Sequence, residues 1–269
     1  MSVAADPAQP VITAVATAAP GVAAAASVPD SPGHTYAWTV TGATITSGQG
    51  TSAIEFVAAL PGAVTIDVID YAVPGCGTAA ASVQVPVDYF DVPPAHPFHA
   101  DIVTIAQAGI TAGCGGGNYC PALDVTRAQM AVFLLKSKLG ANHVPPVQGP
   151  FFADVPAGSF AADWINELYS FGITTGCGSG NYCPSANVTR AQMAVFLLKT
   201  LIGTGYDPPF GSSPFADVPP FSFAENFITD LYVRGITGGC SASPLLYCPD
   251  SAVNRGQMAV FLVNTFLTP

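Results

Sequence analysis

Charged side chains are scarce in this sequence. Only 9% of its 269 residues are charged, and lysine and arginine together number 7 against 17 acidic residues. The formal net charge of −10 therefore excludes the broad basic surface that nucleic-acid binding requires. An anionic polymer would have to be held by locally clustered arginines instead.

Long uninterrupted apolar runs are also missing. The most apolar early stretch, residues 11–28, is broken by Pro20 and Gly21, and it is too short for a transmembrane helix. Met1 is not followed by the basic start and apolar core of a cleavable export signal. We therefore expect no transmembrane segment, and if the protein is secreted, this chain is a mature form or an excised piece.

The cysteines occur in pairs, with one left over. Zinc would need two more ligands for each pair, and the four histidines do not recur with the pairs, so we predict disulfides and no metal site. Such disulfides indicate an oxidising, extracytoplasmic location, and they stabilise their small loops by about 2 kcal/mol each. Cys76 remains, either as a buried thiol or as a link between two chains. The three predicted disulfides are Cys114–Cys120, Cys177–Cys183 and Cys240–Cys248.

One sequence unit occurs three times between residues 88 and 269. Residues 114–136 and 177–199 are identical at 19 of 23 positions, and a looser copy spans 240–264. Each unit opens with an aromatic residue and Asp-Val-Pro, and has a helical stretch that ends at Gly-Ile. The cysteine loop follows, and then a second helix that starts with Thr-Arg-Ala-Gln or Asn-Arg-Gly-Gln, both typical of a capping box. Because one helical hairpin cannot bury its apolar face alone, we predict that three pack together.

Residues 10–88 follow a different pattern. Val, Ile and Thr alternate with small residues in TYAWTVTGATI, SAIEFVA, AVTIDVIDY and ASVQVPV, separated by Gly, Pro and Ser. Short alternating strands at such spacing predict a small antiparallel sandwich. We therefore predict a β-sandwich at 1–87 and three repeats at 88–147, 148–211 and 212–269.

The repeats resemble the S-layer homology family. The second unit has the family's ordered motifs: Phe-Ala-Asp-Val at 152–155, an aromatic residue at Phe160, Gly-Ile at 172–173, Tyr-Cys-Pro at 182–184 and Thr-Arg-Ala-Gln at 189–192. The family usually has Glu where all three units have Gln, and the cysteine pairs are not part of its common pattern. The N-terminal region resembles PKD or immunoglobulin-like domains through YAWTVTGATITSGQGTSAIEF and Cys76.

The resemblance implies a fold and a ligand. It implies an all-α C-terminal region of three helical-hairpin repeats in a pseudo-threefold arrangement, whose grooves bind a cell-wall polysaccharide or a peptidoglycan-linked polymer. The first-turn arginines would contact its anionic sugars, and three phenylalanines stand where the family usually has a groove tryptophan. The implied ligand-binding residues are Arg127, Arg190, Arg255, Phe98, Phe160 and Phe223.

The first-turn arginines need an anionic partner, because a cation at a helix N-terminus opposes the macrodipole by a few tenths to about 1 kcal/mol. One candidate is an internal salt bridge to the recurring Asp91, Asp154 and Asp217. The other is a ligand carboxylate, held by the guanidinium group together with helix N-terminal amides. Both alternatives stay open at the level of sequence.

Neither a nucleophile–base pair nor paired carboxylates recur in the sequence, so we expect no enzymatic activity and no cofactor. The first hypothesis is a non-catalytic, extracellular protein of the cell surface, attached to the envelope through the three repeats. The second is a self-assembling subunit of a surface layer or filament, in which the repeats contact other copies in a homo-oligomer or polymer and the terminal strand of the sandwich pairs across chains.

Overall fold

The computed structural model describes residues 8–72 and 77–268. These described residues form two compact units, one made of those up to 107 with 112–119, the other of 108–111 with those from 120 onward. Cys76 lies outside the described residues, so both hypotheses for it stay predictions. No helix in the described ranges is both long and apolar enough to cross a membrane.

The first unit is strand-rich, as the alternating pattern predicts. Its seven strands form a four-stranded antiparallel sheet in the order β1-β2-β5-β4 and a three-stranded antiparallel sheet in the order β3-β6-β7. The strands are β1 (Thr13–Ala14), β2 (Ala23–Ser27), β3 (Thr35–Thr41), β4 (Ala43–Ser47), β5 (Ala53–Ala58), β6 (Gly62–Tyr71) and β7 (Thr78–Val87).

A single apolar cluster fills the space between the two sheets. Alternate residues of β6, such as Val64, Ile66 and Val68, are at most 1% exposed and pack with Phe56 of the other sheet. The buried Trp38 side chain donates its indole Nε1–H to the Thr51 carbonyl oxygen at 2.8 Å, so its one polar atom is satisfied. The period of two along each strand therefore produces the core.

The first unit also contains the beginning of the first repeat. Helix α1 (His99–Gln107) follows the sandwich, and the Gln107 side chain donates to the Pro61 carbonyl oxygen at 3.3 Å. The Asp91 carboxylate accepts the Tyr119 backbone N–H at 2.8 Å. A Cβ on Gly117 would lie 2.8–2.9 Å from side-chain atoms of Ala19, Val22 and Phe90, so glycine is required at this close approach.

The second unit is built from short helices, turns and extended segments. Its helices are α2 (Arg127–Leu139), α3 (Ala162–Ser170), α4 (Arg190–Ile202), α5 (Glu225–Val233) and α6 (Arg255–Leu262), which continues into a π-helical turn, Val263–Leu267. A two-stranded hairpin, β8 (Ser241–Ala242) and β9 (Leu245–Leu246), lies in the third cysteine loop.

The helix boundaries follow the sequence signals. Thr126, Thr189 and Asn254 are the N-caps of α2, α4 and α6, and each forms a complete capping box with the glutamine three residues later. At the end of α3, the Gly172 and Ile173 amides donate to the Tyr169 and Leu168 carbonyl oxygens. This is a Schellman motif at the Gly-Ile where the helical stretch is predicted to end, and Gly172 adopts the left-handed conformation that the motif requires, with φ of 68°.

The prediction of an all-α C-terminal region of three helical hairpins is wrong. Only about 26% of the residues are helical, and the second unit also contains a β-hairpin and long extended segments. The helices also do not pair within a repeat, because α2 packs chiefly against α3 of the second repeat, and α4 against α5 of the third. Helical periodicity predicts where the helices lie in the sequence, but it does not predict which two helices pack against each other.

Backbone hydrogen bonds join the three repeats in a cycle. The Val188 amide donates to the Val125 carbonyl oxygen, the Val253 amide to that of Val188, and the Val125 amide to that of Val253, at 2.8–3.0 Å. All three valines are fully buried. The segments just before α2, α4 and α6 therefore meet one another, and this places the first turns of these helices at equivalent junctions.

Candidate functional site

Two of these junctions place a helix-start arginine against a tyrosine of the next repeat. The Arg127 Nε–H donates to the Tyr182 carbonyl oxygen at 2.7 Å, and the Tyr182 hydroxyl donates to the Arg127 carbonyl oxygen at 2.8 Å. Arg190 and Tyr247 form the same reciprocal pair at 2.7 and 2.8 Å. Both tyrosines are fully buried.

Aromatic rings enclose the guanidinium groups. The Arg127 Cζ atom lies 4.6 Å from the ring centroid of Tyr182 and 5.5 Å from that of Phe196. Arg127 is only 5% exposed. Burial lowers the pKa of Arg127 by disfavouring its charged form, and the charges of Tyr182 and Asp154 partly oppose this effect. The protein therefore holds a cation where water cannot solvate it well.

The polar atoms of Arg127 are not all satisfied. Its Nη2 is buried without a hydrogen-bond partner among the described residues, and the same holds for Nη2 of Arg190. A buried, unpaired guanidinium nitrogen lowers the free energy of unfolding by about 1–3 kcal/mol or more, because it has lost its hydrogen bonds to water and forms no other hydrogen bond in their place. Such an atom is a ready donor for an anionic or carbonyl oxygen that reaches it from outside.

The recurring aspartates do not form internal salt bridges with Arg127 and Arg190, which was one of the two alternatives left open by the sequence. In the described part of the chain, neither arginine has a carboxylate within ion-pair distance. Asp154 instead accepts the backbone N–H groups of Tyr182 and Cys183, both at 2.7 Å, and Asp217 does the same for the third loop. The aspartates fix the loops that present the tyrosines.

Arg127 is one of the residues that line a cleft of about 220 Å³. The loop after α3 forms one wall, and α4 forms the other. Lys199 adds a second cation, Gln192 adds an amide, and Phe223 adds an aromatic ring that is 68% exposed. The remaining lining residues are Gly172, Ile173, Thr174, Thr175, Gly176, Val195 and Phe196.

The structure brings only some of the predicted site residues together. Arg127 and Phe223 line the cleft just described, whereas Phe160 lines a separate cavity of about 270 Å³ beside Thr126 and Pro184. Arg190 is buried at the next junction, with its Cζ atom 4.8 Å from the Tyr247 ring centroid. Arg255 is also buried, near the Phe133 ring, and Phe98 is half-buried in the first unit.

Sequence reasoning missed Lys199 and the Gly172–Gly176 loop as parts of this cleft. A signal for the lysine was present, because the chain has only three lysines, and Lys136 and Lys199 occupy the same position of the repeated Phe-Leu-Leu-Lys. The loop carried no such signal. The turn itself requires glycine, since a Cβ on Gly176 would lie 2.2 Å from the Asn181 carbonyl oxygen. The glycines of the loop therefore do not indicate a binding site.

Disulfides staple the loops that carry the tyrosines. Cys177–Cys183 and Cys240–Cys248 are bonded as predicted, and Cys114 and Cys120 are also in disulfide form. Within the described ranges, Asp217, Cys240 and Cys248 are close enough together to hold a metal ion. Both sulfurs are committed to the disulfide, however, and the Asp217 carboxylate accepts two backbone N–H groups. This cluster therefore does not offer free ligands to a metal.

Comparison with known protein families agrees with both resemblances. Residues 89–131 and 151–194 match the S-layer homology domain, and residues 7–87 match the PKD-like domain. The first match includes Arg127 and Arg190, and it therefore covers the helix starts that form the arginine–tyrosine pairs described above.

Several characterised proteins share part of this sequence. A "Cell surface protein" of Thermoanaerobacter kivui is 29% identical over 126 residues, which are 46% of this chain and 16% of that protein. The "S-layer protein EA1" of Bacillus anthracis is 30% identical over 133 residues, 47% of this chain and 14% of that protein. An "Endoglucanase" of Bacillus sp. (strain KSM-635) is 28% identical over 137 residues, 51% of this chain and 14% of that protein.

The chain spans less than a fifth of the length of each of these relatives. Their similarity therefore concerns a limited segment rather than their whole architecture. The family matches, the repeated sequence unit and the strand-rich first unit agree on one assignment. This chain carries an N-terminal PKD-like domain followed by S-layer homology repeats.

Proposed function

We propose that this is an extracellular, non-catalytic protein of the cell surface, which the S-layer homology repeats attach to the cell envelope. The repeats bind an anionic cell-wall polysaccharide or a peptidoglycan-linked polymer. The division at residues 1–87, 88–147, 148–211 and 212–269 is part of this proposal, with the first segment acting as a spacer.

The observation that carries the proposal is that Arg127, whose buried Nη2 has no hydrogen-bond partner among the described residues, lines the cleft. A protein that buries a cation without satisfying it gains binding energy when an anion completes the site. Lys199 lies on the same cleft, and Gln192 and the Thr174 and Thr175 side chains supply neutral hydrogen-bonding groups. This set of groups suits a sugar that carries a carboxylate.

Phe223 supplies the apolar part of the site. Its ring is 68% exposed, although a phenylalanine gains free energy by leaving water, and it lies on the same cleft as the two cations. The apolar C–H face of a sugar ring would cover this aromatic face while the anionic substituent reaches Arg127. The cleft thus combines a charge that recognises the acid with a surface that recognises the ring.

The comparisons support an attachment role rather than a catalytic one. Stretches similar to this chain occur in S-layer proteins and in an endoglucanase, and they make up 14% of the endoglucanase. The similar segment is therefore shared by proteins with different names and is not tied to a single enzymatic activity. Attachment to the envelope is a function that all of these proteins could share.

The test is a co-sedimentation assay with purified peptidoglycan that retains its covalently attached polymer, and with the same material after the polymer has been removed by acid. We expect the wild-type chain to bind only the polymer-bearing material, and more weakly as salt concentration rises. Lys199→Gln and Phe223→Ala should each weaken binding by about ten-fold, the equivalent of roughly 1.4 kcal/mol.

Phe221→Ala is the matched control, because Phe221 is 91% exposed and lies two residues from Phe223 without lining the cleft. Arg127→Lys keeps the positive charge but loses the planar fork, so it should also bind less well, and circular dichroism must show that it folds. The proposal would be overturned if the wild-type chain did not co-sediment with the polymer-bearing peptidoglycan. Equal binding by Phe223→Ala, Phe221→Ala and wild type would overturn the assignment of the cleft.

A further inference from the structure

The two sheets of the first unit have four edge strands, and three of these edges are protected. Strand β1 has only two residues, and β4 is a five-residue strand whose pairing is interrupted by a register shift between Ile45 and Ser47. The outer edge of β3 is occupied by Gln49, whose side chain accepts from the Trp38 N–H at 3.0 Å and donates to the Trp38 carbonyl oxygen at 2.8 Å. Short strands, bulges and covered edges are the usual ways to prevent unwanted strand pairing.

Strand β7 has none of these protections over most of its length. It pairs with β6 in an unbroken register over ten residues, and its sequence, TAAASVQVPV, contains no charged residue. Among the residues that the structure describes, only its C-terminal end has a partner on the outer side. There the Ala18 amide donates to the Pro86 carbonyl oxygen, and the Asp88 amide donates to the Ala18 carbonyl oxygen.

The Ala18 contacts also show which backbone groups face outward. Because Pro86 and Asp88 use their backbone groups on the side away from β6, the even-numbered residues of this regular strand present N–H and C=O groups to that side. These residues are Ala80, Ser82 and Gln84, and their side chains are exposed. No hydrogen bond from another described segment reaches their outward groups.

We propose that β7 is an assembly edge that pairs antiparallel with β7 of a second copy of this chain. Ser82 is the centre of the free segment, so Ser82 faces its own counterpart, and Ala80 faces Gln84 of the other copy. About six backbone hydrogen bonds would then join the two three-stranded sheets into one continuous sheet.

Two features of the strand favour a second copy as the partner. A strand can pair with its own copy only if the facing residues do not repel one another, and an uncharged strand meets this condition although the chain as a whole has a net charge of −10. The half-buried Ala81 and Val83, which pack at the margin of the core, would also meet Val83 and Ala81 of the other copy. The apolar layer of the sandwich would thus continue across the pair.

The register of the sheet provides a sharp experiment. Thr39, Asp67 and Ser82 lie in one row across β3, β6 and β7. Ser82→Glu would place two glutamates opposite each other in the pair, and each would also lie beside an Asp67. Thr39→Glu adds the same charge beside the same Asp67, but on the opposite edge strand, so it is the matched control.

Association is measured by sedimentation equilibrium of the full chain from about 10 µM to about 1 mM, since an interface of this size is weak. A Cys76→Ser background excludes dimers linked through that cysteine. We expect a concentration-dependent dimer for the parent and for Thr39→Glu, and association weakened by roughly two- to five-fold for Ser82→Glu. Mixing Ser82→Glu with Ser82→Lys should restore dimers, because opposite charges then face each other.

Three results would overturn the inference. The parent could stay monomeric at the highest concentration, or Ser82→Glu and Thr39→Glu could associate equally well. The mixture of Ser82→Glu and Ser82→Lys could also fail to associate while the parent does. The assay uses no cell-wall material, so its outcome does not depend on the proposed attachment function.

Discussion

Asp154 holds the second cysteine loop through two charge-assisted hydrogen bonds, and replacing it with asparagine tests this account. Its two carboxylate oxygens accept the Tyr182 and Cys183 N–H groups, each at 2.7 Å. Asparagine has nearly the same shape, but it can accept only one of these bonds, and its NH₂ group would face the other N–H. One bond is therefore lost and one buried donor is left opposite another donor.

The expected cost follows from these two changes. A hydrogen bond to a charged group contributes about 1.5–3 kcal/mol, and an unsatisfied buried donor costs about 1–3 kcal/mol. Because the two terms overlap, we expect Asp154→Asn to lower the free energy of unfolding by about 2–4 kcal/mol. For a unit of this size the midpoint of thermal unfolding should fall by roughly 5–12 °C.

Urea denaturation followed by circular dichroism measures this change, with Asp163→Asn as the control. Asp163 lies in the first turn of α3 and is half-exposed. Asp163→Asn removes the same charge as Asp154→Asn, but it should lower the free energy of unfolding by only about 0.3–1 kcal/mol. Asp217→Asn should reproduce the large effect, because Asp217 makes the same two bonds at 2.8 and 2.7 Å. If Asp154→Asn costs no more than Asp163→Asn, the loop-fixing role is wrong.

Two further predictions concern the same loops. Burial raises the pKa of Tyr182 and Tyr247, so the folded state keeps both protons where the unfolded chain releases them, and stability should fall by roughly 2–3 kcal/mol per pH unit once the pH rises above about 10. Urea titrations at several alkaline pH values should show a shallower fall for the variant in which both tyrosines are phenylalanine, and equal slopes would contradict the assignment. Gly176→Ala should cost about 2–4 kcal/mol, because its Cβ would lie 2.2 Å from the Asn181 carbonyl oxygen. Gly178→Ala, which has a similar positive φ but open space around it, should cost only about 1–2 kcal/mol in the same denaturation assay, and equal losses would show that backbone strain alone matters.

Local signals in the sequence predicted the local structure well. The strands from β3 to β7 have alternating residues that the sequence displays directly. The capping boxes at Thr126, Thr189 and Asn254 and the glycine stops depend on contacts within a few residues. Strand β2 was missed for the opposite reason. Its sequence, AAAAS, has no strand pattern of its own, and it is extended because it pairs with β5.

The candidate site shows the same division between local and long-range information. The three arginines were recognised because they recur at helix starts, but the aspartates became one of the two candidate partners through recurrence alone. The aspartates recur equally well and bond to the loop backbone instead, while Arg127 reaches the Tyr182 carbonyl oxygen, 55 residues away. Recurrence indicates that an arginine and an aspartate have the same role in every repeat, but it does not show that the two residues contact each other.

The sequence by itself therefore determined the repeats, the helix starts and stops, the strands with alternating residues, and the cysteine pairs, since each depends on residues close together in the chain. Only the tertiary structure decided that α2 and α4 each pack against the following repeat, that Lys199 and Phe223 share a cleft with Arg127, and that β7 keeps an edge that no other described segment pairs with. These features arise from segments tens of residues apart, and their proximity is set by how the apolar faces of the whole chain bury one another.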